Sequence, residues 1–207
     1  GGMMGGAFSS PMLATVAGTK QLVVQTRAKL CGVDPESGTE LWSVAIPSFR
    51  DMNILTPTII GDRIFTSSYG GGAMMYEVVK SGDKFEAKEV WKNTTEAYMS
   101  SPVVIDNRIY LHLRNRRFSC IDPATGETLW RTTPFGEYWS MVANGKNMLV
   151  LDEKGDLILI EADPAEFRKK DTVHLTDASA WAHLAVVDDQ VFVRALDALI
   201  VYDWKQN

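Results

Sequence analysis

A nine-residue motif occurs twice in this chain, and the distance between its two copies restricts the possible folds more than any other feature. Residues 34–42 read Asp-Pro-Glu-Ser-Gly-Thr-Glu-Leu-Trp, and residues 122–130 read Asp-Pro-Ala-Thr-Gly-Glu-Thr-Leu-Trp. The Asp, Gly and Trp of the two copies are all 88 residues apart. That distance is two periods of about 44 residues, which is typical of an array of similar structural units.

Weaker copies of the same unit occur between and after the two strong ones. A degenerate copy ends at Trp91, and Ser10-Pro11, Thr56-Pro57 and Ser101-Pro102 mark three copy starts at spacings of 46 and 45. Two further copies align through their apolar stretches. The sequence therefore predicts a single repeat array over residues 1–207. Its five copies lie approximately at residues 9–46, 55–92, 100–133, 139–175 and 181–204.

Each copy has the pattern of short β-strands joined by tight turns. Pairs such as Asp106-Asn107 and Asn144-Gly145 separate two stretches rich in Val, Ile, Leu, Tyr and Phe, as in β-hairpins. One segment, Pro164 to Lys170, is instead predicted to form a helical turn after Asp163. Four strands in about 44 residues are typical of a β-propeller blade. We therefore predict an all-β fold, a β-propeller of four-stranded antiparallel blades with about five blades present.

The repeated motif has a structural interpretation. Gly38 and Gly126 permit a left-handed turn between the third and fourth strands, and Asp34 and Asp122 can accept hydrogen bonds from backbone N–H groups of that turn. The tryptophans that follow are expected to wedge between neighbouring blades, and stacking of their rings on a ligand is the alternative. These tryptophans are Trp42, Trp91 and Trp130.

Charge and composition exclude several classes of function. The chain has 21 basic and 26 acidic residues, a formal net charge of −5, which argues against a general nucleic-acid binder. No apolar run is long enough for a transmembrane segment, and residues 1–6 do not resemble a signal peptide, so we expect any such signal to lie upstream. Two cysteines and three scattered histidines match no zinc spacing. No catalytic, cofactor-binding or metal-binding residue is predicted.

The residues 31–42 and 120–130 resemble the tryptophan-docking motif of the pyrroloquinoline-quinone-like repeat propellers, also called quinoprotein-dehydrogenase-like propellers. The glycine-rich segment 69–73 is similar to a hairpin of non-enzymatic bacterial members, one branch of which is the propeller lipoprotein of the outer-membrane β-barrel assembly machinery. The resemblance implies a non-catalytic scaffold for protein–protein interaction in the bacterial cell envelope, periplasmic or envelope-associated, with other proteins as partners and no bound cofactor.

The same resemblance keeps an enzymatic alternative open, a quinoprotein-type oxidoreductase acting on alcohols or sugars. Such enzymes add an adjacent Cys-Cys disulfide, acidic and Asn ligands for Ca²⁺ and a catalytic Asp. Cys31 and Cys120 are 89 residues apart in equivalent strands and do not match that disulfide. The alternative therefore requires cofactor ligands partly in a missing upstream segment. A glycan-binding propeller is a third possibility, based on the aromatic loops.

Propeller geometry predicts one face as the partner-binding surface. The loops between successive blades and the hairpins between second and third strands lie on the same face. Aromatic and arginine side chains, which are typical of interface hot spots, are concentrated there. The predicted face consists of Phe49, Arg50, Tyr98, Arg114, Arg116, Arg117, Phe135, Tyr138, Trp139 and Trp181. The alternative for Trp139 and Trp181 is that they only cover the ends of blades.

The strand count predicts that the chain does not close a ring by itself. The fifth copy ends at residues 199–204, its third strand, and residues 1–8 are too rich in glycine to make a good strand. About 4.7 blades are present at a period of ~44, whereas members of the resembled family usually have seven or eight. We expect the C-terminal part of a larger ring, with missing N-terminal blades or self-association. A closed five-bladed ring is the alternative.

Overall fold

The computed structural model describes residues 8–204, which form five antiparallel sheets arranged one after another along the chain. Within each sheet the strands pair in chain order, as in a meander. Four sheets have four strands, and the last has three. The predicted all-β propeller of four-stranded blades is therefore confirmed. The predicted glycine-rich segment 1–8 lies, apart from Phe8, outside the described residues.

The strands divide among five blades. Blade 1 contains β1 (Met12–Val16), β2 (Thr19–Gln25), β3 (Lys29–Val33) and β4 (Glu40–Ala45). Blade 2 contains β5 (Thr58–Ile60), β6 (Arg63–Ser68), β7 (Gly72–Ser81) and β8 (Lys84–Asn93). Blade 3 contains β9 (Val103–Ile105), β10 (Arg108–His112), β11 (Arg117–Ile121) and β12 (Thr128–Pro134). Blade 4 contains β13 (Trp139–Asn144), β14 (Asn147–Asp152), β15 (Asp156–Glu161) and β16 (Arg168–His174). Blade 5 contains β17 (Ala185–Val187), β18 (Gln190–Arg194) and β19 (Leu199–Asp203).

Local sequence explains where these strands begin and turn. Pro11, Pro57 and Pro102 each immediately precede the first strand of a blade, as the sequence predicted. Asp106 and Asn107, between β9 and β10, both have left-handed backbone angles, with φ of 49° and 55°. Two successive residues of this kind form the hairpin turn whose twist matches that of the paired strands.

The predicted helical turn at Pro164–Lys170 is wrong. This segment forms an irregular turn, and β16 begins at Arg168. The Asp163 side chain accepts a hydrogen bond from the N–H of Ala165 at 2.8 Å, as Asp122 accepts one from Ala124 at 2.7 Å. The carboxylate therefore closes a turn between third and fourth strands instead of capping a helix. The helical segment in the part that the structure describes is a single 3-10 turn at Phe49–Asp51.

The core consists of layers between blades, and successive residues of one strand belong to different layers. Ile64 of β6 packs toward blade 1, whereas the next residue, Phe65, packs toward blade 3. In the same way Ile109 of β10 faces blade 2 and Tyr110 faces blade 4. Because side chains alternate across a strand, each middle blade is apolar on both faces. Every middle blade is thus held between its two neighbours.

Four such layers join the five blades. They lie between blades 1 and 2, 2 and 3, 3 and 4, and 4 and 5. Among residues 8–204, no buried cluster joins blade 5 to blade 1. The outward faces of these two blades accordingly expose large apolar side chains, with Leu13 at 56% and Leu199 at 68% of full exposure. The described residues form an open arc.

Candidate functional site

The loops between blades and the hairpins between second and third strands are joined by backbone hydrogen bonds. The N–H of Phe49 donates to the carbonyl of Tyr69, and the N–H of Arg114 donates to that of Glu96. Further along the arc, Glu153 donates to Tyr138. Each interblade segment is therefore fixed to a neighbouring hairpin. We call the surface made by residues 46–57, 69–71, 94–102, 113–116, 135–138, 153–155, 175–184 and 195–198 the loop face.

Aromatic side chains form two groups on the loop face. Phe49 packs against Tyr69 with ring centroids 4.8 Å apart, and Tyr69 meets Tyr98 edge to face at 6.1 Å. Tyr138 and Trp181 form the second group at 5.3 Å. Trp181 remains 55% exposed. Partial burial raises the pKa of the Tyr138 hydroxyl, and the nearby Glu137 carboxylate adds to this shift.

Arginines of the β10–β11 hairpin lie beside the first aromatic group. The Arg114 guanidinium lies 3.7 Å from the centre of the Tyr69 ring and 3.2 Å from the Glu96 carboxylate. Arg116 lies 3.5 Å from Glu137. The hairpin and the two adjoining interblade loops are thus connected by side chains as well as by backbone. Planar guanidinium groups against tyrosine faces are common in protein interfaces.

The other predicted face residues have different surroundings. Arg50 is exposed, has a left-handed φ of 53°, and lies 5.0 Å from the Phe49 ring. Arg117 is half-buried and donates to the Thr132 carbonyl. Phe135 is half-buried and packs edge to face on Trp139 at 4.7 Å. Of these three residues, Arg50 is the exposed one.

Trp139 is a core residue, although the sequence placed it on the partner face. It is 3% exposed, and its ring stacks on that of His112 at 4.9 Å with an interplanar angle of 8°. Phe118 covers the same indole at 5.2 Å. The alternation of β13 explains this position, because it directs Trp139 into the layer between blades 3 and 4. Trp139 therefore supports the loop face from beneath.

His112 is the buried titratable group next to that tryptophan. Its Nδ1 lies 3.5 Å from the Ser100 hydroxyl, and its Nε2 has no hydrogen-bond partner among the described residues. Burial lowers the pKa of His112 to about 4. The imidazole is therefore neutral near pH 7 and serves as a flat packing surface.

Two cavities open on the loop face. The larger, of about 460 Å³, lies between blades 2 and 3 and is lined in part by Tyr98, Arg114, Arg116 and Arg131. The smaller, of about 210 Å³, includes Tyr138 and Trp181. Sequence reasoning missed Tyr69, Glu96, Arg131 and Glu137 at this site. For Tyr69 a signal existed, since it opens the glycine-rich hairpin at 69–73.

The tryptophans of the repeated motif form specific hydrogen bonds away from the loop face. The indole N–H groups of Trp91 and Trp130 donate to the carbonyls of Pro123 and Asp163, each at 2.9 Å and each in the following blade. The indole N–H of Trp42 donates to Gln21 within its own blade at 2.7 Å. The sequence motif does not distinguish these two arrangements.

The turns of the motif are shaped by their Asp and Gly residues. The Asp34 carboxylate accepts hydrogen bonds from the N–H groups of Glu36 and Ser37 at 2.8 and 2.9 Å, and these bonds lower its pKa. Gly38 and Gly126 have φ values of 73° and 76°. A side chain at either glycine would be strained in this conformation.

Groups associated with redox or metal chemistry are sparse in the described part of the chain. Cys31 and Cys120 are both buried and free, and burial raises the pKa of Cys120 to about 11. Within residues 8–204, no three His, Cys, Asp or Glu side chains lie close enough together to hold a metal ion. No helix in that range has the length and apolar character needed to span a membrane.

Solved structures with the same architecture come from several sources. BamB from Moraxella catarrhalis is similar with a TM-score of 0.68 and 13% identity, over 94% of this chain and 56% of that one. Sqt1 from Saccharomyces cerevisiae is similar with a TM-score of 0.67 and 11% identity, over 93% of this chain and 59% of that one. The computationally designed protein Ika8 is similar with a TM-score of 0.65 and 11% identity, over 88% of this chain and 55% of that one. At these identities the likeness establishes the fold, and this chain spans little more than half the length of each.

Sequence comparison gives a more specific result. No curated protein matches the chain significantly. The family described as outer membrane protein assembly factor BamB matches residues 2–132 and again residues 114–206, so that the two matches together cover nearly the whole sequence. This agrees with the predicted pyrroloquinoline-quinone-like repeats. The chain belongs to the family of the outer membrane protein assembly factor BamB.

Proposed function

We propose that this chain is a non-catalytic propeller scaffold whose loop face binds a partner protein in the bacterial cell envelope. The observation that carries the proposal is the grouping of exposed aromatic and arginine side chains on that one face. Its exposed members are Phe49, Arg50, Arg114, Arg116 and Trp181, and its half-exposed members are Tyr69, Tyr98, Phe135 and Tyr138. Family membership supports the envelope as the compartment, because the family is named for outer membrane assembly.

The construction of the loop face favours binding over a merely solvated surface. Backbone hydrogen bonds fix the interblade segments to the hairpins, so that little conformational freedom remains to be lost when a partner binds. Tyr, Trp and Arg contribute most to binding energy at protein interfaces, and several of them are grouped here. Beneath this surface, Phe135 packs on the buried Trp139.

The repeated motif has a separate, structural role in this proposal. Trp91 and Trp130 tie each blade to the turn of the next, and Asp122 and Gly126 shape the turn that receives Trp91. Trp42, with Asp34 and Gly38 in the turn just before it, closes the layer between blades 1 and 2. The motif thereby holds the blades in the arrangement that brings the interblade loops together.

Site-specific photo-crosslinking in cells that carry the protein tests the loop face. A photoreactive phenylalanine derivative replaces Tyr98 or Trp181, and the control position is Lys146. Lys146 is exposed in the β13–β14 hairpin, at the opposite end of β14 from the loop face. We expect adducts of one defined mass from Tyr98 and Trp181 and none from Lys146. Equal adducts from both faces, or adducts from Lys146 alone, contradict the proposal.

A further inference from the structure

The larger cavity of the loop face is charged rather than apolar. Five of its lining residues carry charge: Glu96, Arg114, Arg116, Arg131 and Glu137. Tyrosine rings and two threonines complete much of the wall. Its volume of about 460 Å³ is within the range of ordinary ligand sites. The charges of these five residues therefore determine which ligands the cavity can bind.

The two glutamates of the cavity already have partners. Glu96 is held between the Arg114 guanidinium at 3.2 Å and the backbone N–H of Gly70 at 3.0 Å. Glu137 is 3.5 Å from Arg116. Neither carboxylate is therefore available to neutralise a further arginine at short range.

Arg131 is the remaining cation. It is exposed on β12, and its Nη2 donates to the Thr128 hydroxyl at 3.1 Å. Among residues 8–204, no carboxylate lies within ion-pair distance of it. Three guanidinium groups against two carboxylates leave the cavity with one net positive charge, although the whole chain has a net charge of −5.

Arg116 provides an independent indication that the cavity has a function. It has a left-handed φ of 66°, and its N–H donates to the carbonyl of Leu113 at 2.8 Å. In the corresponding hairpin of blade 4 this position is Gly155, whose φ is 84° and whose N–H donates to Asp152 at 2.9 Å. Glycine adopts this conformation without steric cost, whereas arginine does not. Such strain in a folded protein is concentrated at functional sites.

We propose that this cavity binds a carboxylate side chain from an extended segment of a partner protein, with Arg131 as its ion-pair partner and Arg116 as a second donor. The inference rests on the proposed function and gives the chemistry of the partner. One carboxylate matches the single net positive charge. A phosphate group carries nearly two negative charges and would leave the cavity with a net negative charge.

Fluorescence anisotropy with a labelled peptide tests this pairing. The probe is a ten-residue peptide of alternating Glu and Thr with both ends blocked, and its twin has Gln in place of Glu. We expect the Glu peptide to bind the wild-type protein and the Gln twin to bind at least about tenfold more weakly, which corresponds to one charge-assisted hydrogen-bonded pair. Equal binding of the two peptides overturns the proposal.

Protein variants locate the binding to the cavity. Arg131→Gln is expected to weaken binding of the Glu peptide about tenfold. Arg194→Gln is the matched control, because Arg194 is exposed on blade 5, outside the lining of this cavity. An equal loss in both variants indicates general attraction to a basic surface and overturns the proposal.

Arg116→Gly separates binding from folding. Glycine relieves the backbone strain of one left-handed residue. For a protein of this size, that gain is expected to raise Tm by about 2–4 °C. Loss of the exposed pair with Glu137 offsets little of this gain. The same variant is expected to bind the Glu peptide several-fold more weakly. A higher Tm with unchanged binding removes Arg116 from the site.

One outcome distinguishes this inference from the proposed function, and two others test the chemistry of the ligand. If the Glu peptide fails to bind while Tyr98 and Trp181 still crosslink to one partner, the carboxylate chemistry is wrong and the scaffold function stands. The Gln–Thr peptide is also made with a free C-terminal carboxylate. If it binds in this form but not with both ends blocked, the carboxylate comes from a chain terminus. That result preserves the ion pair with Arg131 but overturns the side-chain assignment. Tighter binding of a ten-nucleotide oligouridine than of the Glu peptide overturns the proposal.

Discussion

Trp42, Trp91 and Trp130 occupy equivalent positions in three blades, and the acceptor of each indole N–H depends on the blade that follows. Trp91 and Trp130 reach carbonyls of an Asp-Pro turn. Blade 2 has no such turn, because β7 and β8 are ten residues long and form one extended hairpin. Trp42 therefore donates to Gln21, which is fully buried and in turn donates to the Val16 carbonyl.

Trp42→Ala is expected to lower the free energy of unfolding by about 3–5 kcal/mol, the cost of removing a large core aromatic side chain. Trp42→Phe keeps most of the apolar contact but leaves the Gln21 oxygen without its donor, and is expected to cost about 1–3 kcal/mol. Urea unfolding measures both. Trp181→Ala, at an exposed position, is the control and is expected to change stability by less than about 0.5 kcal/mol. An unchanged midpoint for Trp42→Ala contradicts the packing role.

His112 makes stability depend on pH in the acidic range. Burial lowers its pKa to about 4, below the value of 6.5 that is usual for histidine, so the unfolded chain binds a proton that the folded one does not. Its contribution to stability is present above pH 6.5 and is lost as the pH falls toward 4, amounting to about 3 kcal/mol. His112→Phe keeps a ring against Trp139 without titration. We expect its unfolding free energy to fall less than that of the wild type over this interval. Parallel pH profiles contradict the assignment.

At the scale of elements, the strands were predictable and one turn was not. Alternating apolar residues and pairs such as Asp106-Asn107 act locally, so they place hairpins without knowledge of the fold. Asp163-Pro164 was predicted to start a helix, because the same dipeptide also caps helices. Comparison of the repeats indicates a turn between third and fourth strands instead, since Asp163-Pro164-Ala165 repeats Asp122-Pro123-Ala124.

The candidate site was predictable only as a surface. Propeller topology places Tyr98, Arg114 and Trp181 on one face, because interblade loops and alternate hairpins meet there. The contact of Arg114 with Tyr69 joins residues from two blades, and the burial of Trp139 depends on which side of β13 faces blade 3. These features depend on three-dimensional packing, and no local pattern encodes them.

Gly126 and Gly38 provide a matched test of the turn between third and fourth strands. Both have left-handed backbones, but a Cβ at Gly126 would lie 2.6 Å from the Trp91 ring, whereas one at Gly38 would meet no atom within 4 Å. Gly38→Ala is expected to cost about 1 kcal/mol for backbone strain alone. Gly126→Ala is expected to cost about 2–4 kcal/mol, because it adds a clash with the indole. Equal losses in urea unfolding would mean that Trp91 does not pack on this turn.

At the scale of the whole molecule, the two ends of the arc expose surfaces like those buried inside it. On blade 5, Phe192 and Val201 pair across strands on the face opposite to Val191 and Val193, which pack against blade 4. On blade 1, Leu13 pairs with Leu22 on the face turned away from blade 2. Faces of this kind form four core layers within the chain, so an end face of one copy fits that of another.

The isolated chain is therefore expected to self-associate through its end faces. Light scattering should give a mass above 23.0 kDa that rises with concentration. Leu199→Lys combined with Val201→Lys is expected to lower the mass, because the charges oppose burial of the blade 5 face. Leu129→Lys, on the exposed outer strand of blade 3, is the control and should leave association unchanged. A monomer at high concentration would contradict the expectation.

The sharing of each middle blade between two core layers also determines the order in which the protein opens. Stability in such an array depends on nearest-neighbour coupling. Loosening blade 1 or blade 5 disrupts one described layer, whereas loosening blade 2, 3 or 4 disrupts two. Fraying therefore begins at the ends and reaches the middle last. The charged cavity is lined by residues of blades 2 and 3 and their loops. The site would therefore stay intact around a bound segment while blades 1 and 5 open and close.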